Sequence, residues 1–130
     1  MHQERVVAKQ SPVIGVDIIE IARIERAMLR WQGSFLKRVY TEAELDTCHG
    51  APSLAARFAA KEAVMKALGS GTRGVSWRDI EIISNSDGAP SVQLHGRARR
   101  RCSEVGIADF SVTMAHSKQY AVAFVIGNVI

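Results

Sequence analysis

The chain has 130 residues, a size at which folding buries roughly two-thirds of the surface, so one domain over 1–130 with its own core is expected. Its 47% hydrophobic and 23% charged residues exclude a disordered chain, and its longest apolar run, YAVAFVIGNVI, falls well short of the roughly 20 residues that cross a bilayer. The net charge of +4 calls for an acidic partner without choosing among nucleic acid, an anionic membrane, a phosphorylated metabolite and an acidic protein. The opening MHQERVVAKQ lacks the apolar stretch of a signal peptide, and Cys48 and Cys102 are too few and too far apart for a disulfide framework or a cysteine zinc site. A cytoplasmic protein with two free thiols is expected.

In chain order, PVIGVDII (12–19) is a β-branched run that passes without a proline break into EIARIERAMLRWQ, where Ile21, Ile24, Met28 and Trp31 recur at helical spacing. A strand followed by a helix is predicted. On that helix Arg23, Arg26 and Arg30 fall within about 60° of one another, opposite the apolar stripe. YTEAEL carries Thr41 and Glu44 in the spacing of a capping box and starts a short helix. In APSLAARFAAKEAVMKALG, Ser53 is the expected N-cap and Gly69 the C-cap of a long helix. DIEIIS and SVQLHG then flank the turn-rich NSDGAP, while FSVTMAHS and YAVAFVI flank KQ, which predicts two hairpins. Between them RARRRCSEVG reads as a helix ended by Gly106, with Arg97, Arg99, Arg100 and Arg101 mostly in water. The class is α+β, an antiparallel sheet covered by helices, without linker or repeat.

The long helix carries charge where it could bury alanine alone. Glu62 and Lys66, four apart, share a face, and the small Ala55, Ala59 and Ala63 around them leave space for something to approach. Arg57 and Lys61 form a second such pair on another face, so the helix offers cations on two sides, which suits a phosphorylated ligand. An exposed salt bridge worth about 0.3–0.5 kcal/mol explains the Glu62–Lys66 spacing equally well. Asp17, between Val16 and Ile18, is costly to bury unless it is paired or holds a metal, and Gly15 on the same strand face admits a ligand or another backbone. Asp17 with Glu62 would supply two hard oxygen ligands, the usual hold on Mg²⁺, whose other positions go to waters and phosphate oxygens; chemistry on a diphosphate follows. Asp17 as a favourable charge at the start of the next helix is the alternative. GSGTRG (69–74) follows its helix and is not a P-loop. His116, at a strand end beside a turn, is either structural or a phosphate or proton contact.

Taken together, GVDIIEIARIER, YTEAEL, RFAAKEAVMKALGSG, DIEI and HSKQYAVAFVI, in that order across nearly the whole chain, resemble the 4'-phosphopantetheinyl transferases, specifically the short bacterial holo-[acyl-carrier-protein] synthase type. The resemblance implies Mg²⁺-dependent transfer of 4'-phosphopantetheine from coenzyme A to a serine of apo acyl carrier protein, with release of adenosine 3',5'-bisphosphate. It implies Asp17 and Glu62 as metal ligands, and Lys66 as the group that neutralises or protonates the departing phosphate. It further implies Arg57, Lys61, Gly69 and His116 at coenzyme A, although this chain has Ala115 where the family commonly has serine before the histidine. The serine proton would go to Glu62 or to a metal-polarised water. Double-length family members place the site between two similar halves, so a homotrimer with sites at subunit interfaces is implied here. The Arg23, Arg26 and Arg30 stripe would dock the carrier protein, acidic along the helix after its serine. Two rival readings are a basic nucleic-acid-binding module, disfavoured because only 6% of residues are aromatic, and a Mg²⁺-dependent hydrolase of coenzyme A or another diphosphate. No nucleic acid and no membrane partner are expected.

Overall fold

The computed structural model describes residues 11–69 and 73–130. Strand β1 (Val13–Glu20) leads into helices α1 (Ile21–Trp31), α2 (Gly33–Val39), α3 (Glu42–Thr47) and α4 (Ala51–Leu68). A hairpin of β2 (Ile80–Ser84) and β3 (Pro90–Leu94), helix α5 (Gly96–Glu104) and a second hairpin of β4 (Ile107–His116) and β5 (Tyr120–Val129) complete the chain. The strands form a three-stranded antiparallel sheet in the order β1-β5-β4 and a separate two-stranded sheet β2-β3. The expected single sheet is thus two, and α2 is a helix the sequence pattern did not separate: Gln32 takes a positive φ of 50° and breaks it from α1.

Helix α4 is the centre of the molecule. It packs on β1, β5 and β4 along one side and on β2 along another. Its start differs from expectation. Gly50, at φ 84°, is the N-cap, and proline in the first turn supplies a fixed φ where an N–H would be unpaired anyway. Ser53 lies inside the helix, where its hydroxyl accepts from Arg57 Nη1 at 3.0 Å. Gly69 closes α4 as expected, its positive φ of 74° letting its N–H reach the carbonyls of Met65 and Lys66. The capping box of α3 is present in full, Thr41 Oγ1 accepting from Glu44 N and Glu44 from Thr41 N.

Alternation along β1 decides what α4 meets. Gly15 and Ile19 face inward with Asp17 half-buried between them, while Ile14, Val16 and Ile18 face out. A Cβ on Gly15 would collide with the Ala63 carbonyl oxygen, so the glycine admits a backbone, that of α4. Ile24, Leu54, Val64, Leu68, Ile80, Ile82 and Val125 fill the core around this contact, each worth about 1.5–3 kcal/mol on full burial.

Candidate active site

The close approach of β1 and α4 brings Asp17 to the last turns of the helix. Lys66 Nζ donates to Asp17 Oδ1 at 2.7 Å and to the Val16 carbonyl at 3.3 Å, closing a contact between residues 49 apart in sequence. Asp17 keeps 14% of its side chain exposed and Lys66 58%, so the pair opens to solvent. Glu62, one turn before Lys66, is half-buried on the same side. Its carboxyl is held above the ordinary value by burial and then by the negative charge of Asp17, against which the cations of Lys66 and Arg23 act in part. The Lys66 ammonium is raised by its hydrogen bond to Asp17 and by the charge of that carboxylate. Two carboxylates that feel each other's charge, with one exposed ammonium beside them, suit a divalent hard cation and a phosphorylated ligand. Among the described residues no group of three or more His, Cys, Asp or Glu gathers into a closed metal cage. Mg²⁺ does not need one, because it is commonly held by one or two carboxylates with waters and phosphate oxygens.

The second charged face of α4 departs from expectation. Lys61 was expected against phosphates, yet its side chain has no exposed surface and is bound to Glu44 Oε1 at 2.8 Å, to the Trp77 carbonyl at 3.1 Å and to the Ile80 carbonyl. Burial lowers the affinity of Lys61 for its proton, and the Glu44 carboxylate offsets part of that. Arg57 is nearly buried too, donating to Ser53 at 3.0 Å and to Ser84 at 3.4 Å, while its Nε is enclosed without a hydrogen-bond partner. The physical reason is β2, which packs over this face of α4 and offers it the Ile80 carbonyl and the Ser84 hydroxyl, with the Trp77 carbonyl coming from just before the strand.

The other expected residues lie apart. His116 ends β4, exposed, with Nδ1 3.3 Å from the Ser117 carbonyl oxygen. It pairs with Ala121 on β5, which pairs with Ile19 on β1, so it lies two strands and about 10 Å across the sheet from the strand of Asp17. Gly69 caps α4 beyond Lys66, and residues 70–72 of the following loop lie outside the described residues. Arg23, Arg26 and Arg30 are exposed along α1, and Arg23 is close enough for its charge to act on Glu62. Ile21 and Ile24 are buried as the stripe predicts, but Trp31 is exposed, with the Arg30 guanidinium 5.0 Å from its ring centroid.

Glu44 was missed as more than a cap. It is fully buried, pairs with Lys61 and accepts from the backbone N–H of Ile82 at 2.9 Å, joining α3, α4 and β2. The capping-box spacing marked its place in α3, but nothing local to YTEAEL indicated that β2 would cover it.

The model of the 4'-phosphopantetheinyl transferase superfamily matches residues 13–125. A holo-[acyl-carrier-protein] synthase of Herpetosiphon aurantiacus is 50% identical over 123 residues, covering 88% of this chain and 97% of that protein. The crystal structure of the Neisseria meningitidis holo-[acyl-carrier-protein] synthase superposes with a TM-score of 0.81 at 35% identity, covering 89% of this chain and 97% of its own. That of the Helicobacter pylori enzyme in complex with coenzyme A gives 0.78 at 34% identity, over 90% and 99%. With its motifs in order, its two-sheet α+β fold and its paired carboxylates, the chain belongs to the 4'-phosphopantetheinyl transferase superfamily.

Proposed function

We propose that this chain transfers 4'-phosphopantetheine from coenzyme A to a serine hydroxyl of apo acyl carrier protein, releasing adenosine 3',5'-bisphosphate, with residues 1–130 acting as one transferase domain. The observation that carries the reading is the meeting of Asp17, Glu62 and Lys66 across the β1–α4 contact in a chain of this family. The coenzyme A complex of the Helicobacter pylori relative supports coenzyme A as the donor.

In this reading Asp17 and Glu62 hold Mg²⁺, which supplies charge neutralisation on the diphosphate oxygens. The serine oxygen attacks the β-phosphorus; its bond to phosphorus forms as the bond from that phosphorus to the bridging oxygen breaks, and the bridging oxygen leaves on the bisphosphate. Lys66, exposed, leaves its partner Asp17 to meet the negative charge that develops on the departing phosphate. The serine proton goes to Glu62 or to a water that the metal would polarise. Gly69 and His116 are coenzyme A contacts, His116 from a neighbouring copy, while Arg57, nearly buried with its Nε enclosed, would reach a coenzyme A phosphate only by giving up its hydroxyl partners. Lys61, enclosed, has no part in that binding.

The neighbouring copy is argued from the outer face of the three-stranded sheet. Ile14, Val16, Ile18, Tyr120 and Phe124 stand exposed there, with Ile18 at 63%, an apolar surface of the kind that a subunit interface covers. A homotrimer that shares its sites between copies fits this face, and light scattering at assay concentration tests it. Arg23, Arg26 and Arg30 would receive the acidic carrier protein beside the carboxylates. Among the described residues no helix is long and apolar enough to cross a membrane. A cytoplasmic enzyme without nucleic-acid or membrane partners is the corresponding proposal.

Mass spectrometry of apo acyl carrier protein incubated with this chain, coenzyme A and Mg²⁺ tests the function. A phosphopantetheine adduct is expected; hydrolysed coenzyme A with unmodified carrier protein would mean that water is the acceptor.

A further inference from the structure

Helix α4 is smooth on one face. Ala55, Ala59, Ala60 and Ala63 are fully buried and Ala56 almost so, and against β1 the helix meets a glycine. Small side chains permit close approach but supply few interlocking shapes, so apolar packing on this face defines the rotation weakly, and the larger Leu54, Val64 and Leu68 lie elsewhere around the helix. Rotation matters here, because side chains stand about 5–6 Å from a helix axis and a turn of about 20° carries the Glu62 carboxylate roughly 2 Å. A misplacement of about 1 Å can cost a reaction as much as 10²-fold.

A polar anchor that opposes rotation lies one residue away. Lys61 reaches in three directions from α4, to Glu44 on α3, to the carbonyl of Trp77 before β2 and to that of Ile80 at its start. Glu44 is itself fixed by the N–H groups of Thr41 and Ile82 at 2.9 Å each. Glu44 and both carbonyls belong to elements other than α4, and Lys61 stands about 100° round the helix from Glu62.

We propose that Lys61 is a positioning residue: by tying α4 to Glu44 and to the start of β2 it fixes the rotation of α4, and with it the meeting of Glu62 and Asp17. The inference rests on the reading of that pair as the metal site. Buried ion pairs add little net stability compared with an apolar pair of similar volume, so what this one contributes is a unique arrangement of the helix.

Lys61→Met alone strands the buried Glu44 carboxylate and is destabilising for that reason only. The test is therefore the double variant Glu44→Gln/Lys61→Met, which removes both charges and keeps a residue suited to the capping box. Three quantities are read: melting temperature, affinity for Mn²⁺ as a spectroscopic substitute for Mg²⁺ by electron paramagnetic resonance, and kcat against KM for carrier protein. The double variant is expected to melt within about 5 °C of the parent, to bind Mn²⁺ at least about tenfold more weakly and to lose at least about tenfold in kcat, with KM for carrier protein within about twofold. Parental Mn²⁺ affinity and kcat in a folded double variant would overturn the proposal, as would a loss confined to KM. A double variant that does not fold would also overturn it, because Lys61 would then serve the core and not the site. A parent chain without Mn²⁺ affinity would remove the metal reading itself, and the positioning role with it.

Discussion

Helix α4 carries two charged pairs at the same four-residue spacing, one directly after the other, Arg57–Lys61 and Glu62–Lys66, and the fold treats them oppositely. The first is enclosed by β2 and spends its donors on Glu44, Ser53, Ser84 and backbone carbonyls. The second faces the open side of the β1–α4 contact, where Lys66 stays exposed and its partner comes from β1. Spacing on a helix tells which side chains share a face. What covers that face is decided by chain segments far away in sequence, and that decision separates an enclosed cation from an accessible one.

The contrast can be broken most strongly at its open pair. Lys66→Ala removes an exposed ion pair, so stability should change by less than about 1 kcal/mol, while kcat should fall on the order of 10²–10³-fold because charge on the leaving phosphate goes unmet. Thermal unfolding and steady-state kinetics on one preparation check both halves; a stability loss with kept turnover would make Lys66 the structural cation.

The basic stripe on α1 extends the open side. Reversing Arg23, Arg26 and Arg30 to glutamate should raise KM for carrier protein by tens of fold or more, at about 0.2–1 kcal/mol for each lost exposed pair plus the added repulsion, and should leave KM for coenzyme A nearly unchanged. KM for carrier protein in the parent should climb with salt. Equal losses for both substrates would mean that α1 is not the docking surface.

At the contact that joins β1 to α4, Gly15→Ala would drive a Cβ into the Ala63 carbonyl oxygen, a backbone atom that cannot turn aside. A loss of about 1–3 kcal/mol is expected from the denaturation midpoint, with transfer falling too as Asp17 and Glu62 separate. An unchanged midpoint would show that the two elements have slack between them.

The smallest effect is one of pH. Folding raises the Glu62 carboxyl above its usual 4.5, first through burial and then through Asp17. Folding therefore favours the protonated form, and stability of the metal-free chain should be greatest below that usual value and fall as pH climbs through the raised one. Glu62→Gln should flatten this slope between melting curves taken across the window, and Mg²⁺ should reverse it. A variant with the parental slope would place the strain elsewhere.

Much of this was legible in the sequence, for local reasons. The capping box at Thr41 and Glu44, the Gly69 terminus and both hairpin turns follow from backbone chemistry within a few residues. Asp17 stood out because a carboxylate in a β-branched run demands a partner, and Lys66 is that partner. The start of α4 was misplaced because Ser53 and Gly50 both suit an N-cap and the positive φ at Gly50 decided it. The burial of Lys61 could not be read, since alanines on all sides leave α4 without an amphipathic stripe to say which face meets β2. The division into two sheets was equally hidden, because hairpins show pairing within themselves and not with each other.

The central claim is that the carboxylates of Asp17 and Glu62, meeting across the β1–α4 contact, are the metal pair of the transfer reaction. Its most direct test is a Mg²⁺ titration of carrier-protein modification, read by intact mass, for the parent chain and for Asp17→Asn and Glu62→Gln. Saturable, chelator-sensitive modification by the parent is expected, with none by either variant at any Mg²⁺ concentration although both fold with near-parental melting temperatures. Near-normal turnover by either variant at limiting Mg²⁺ would contradict it.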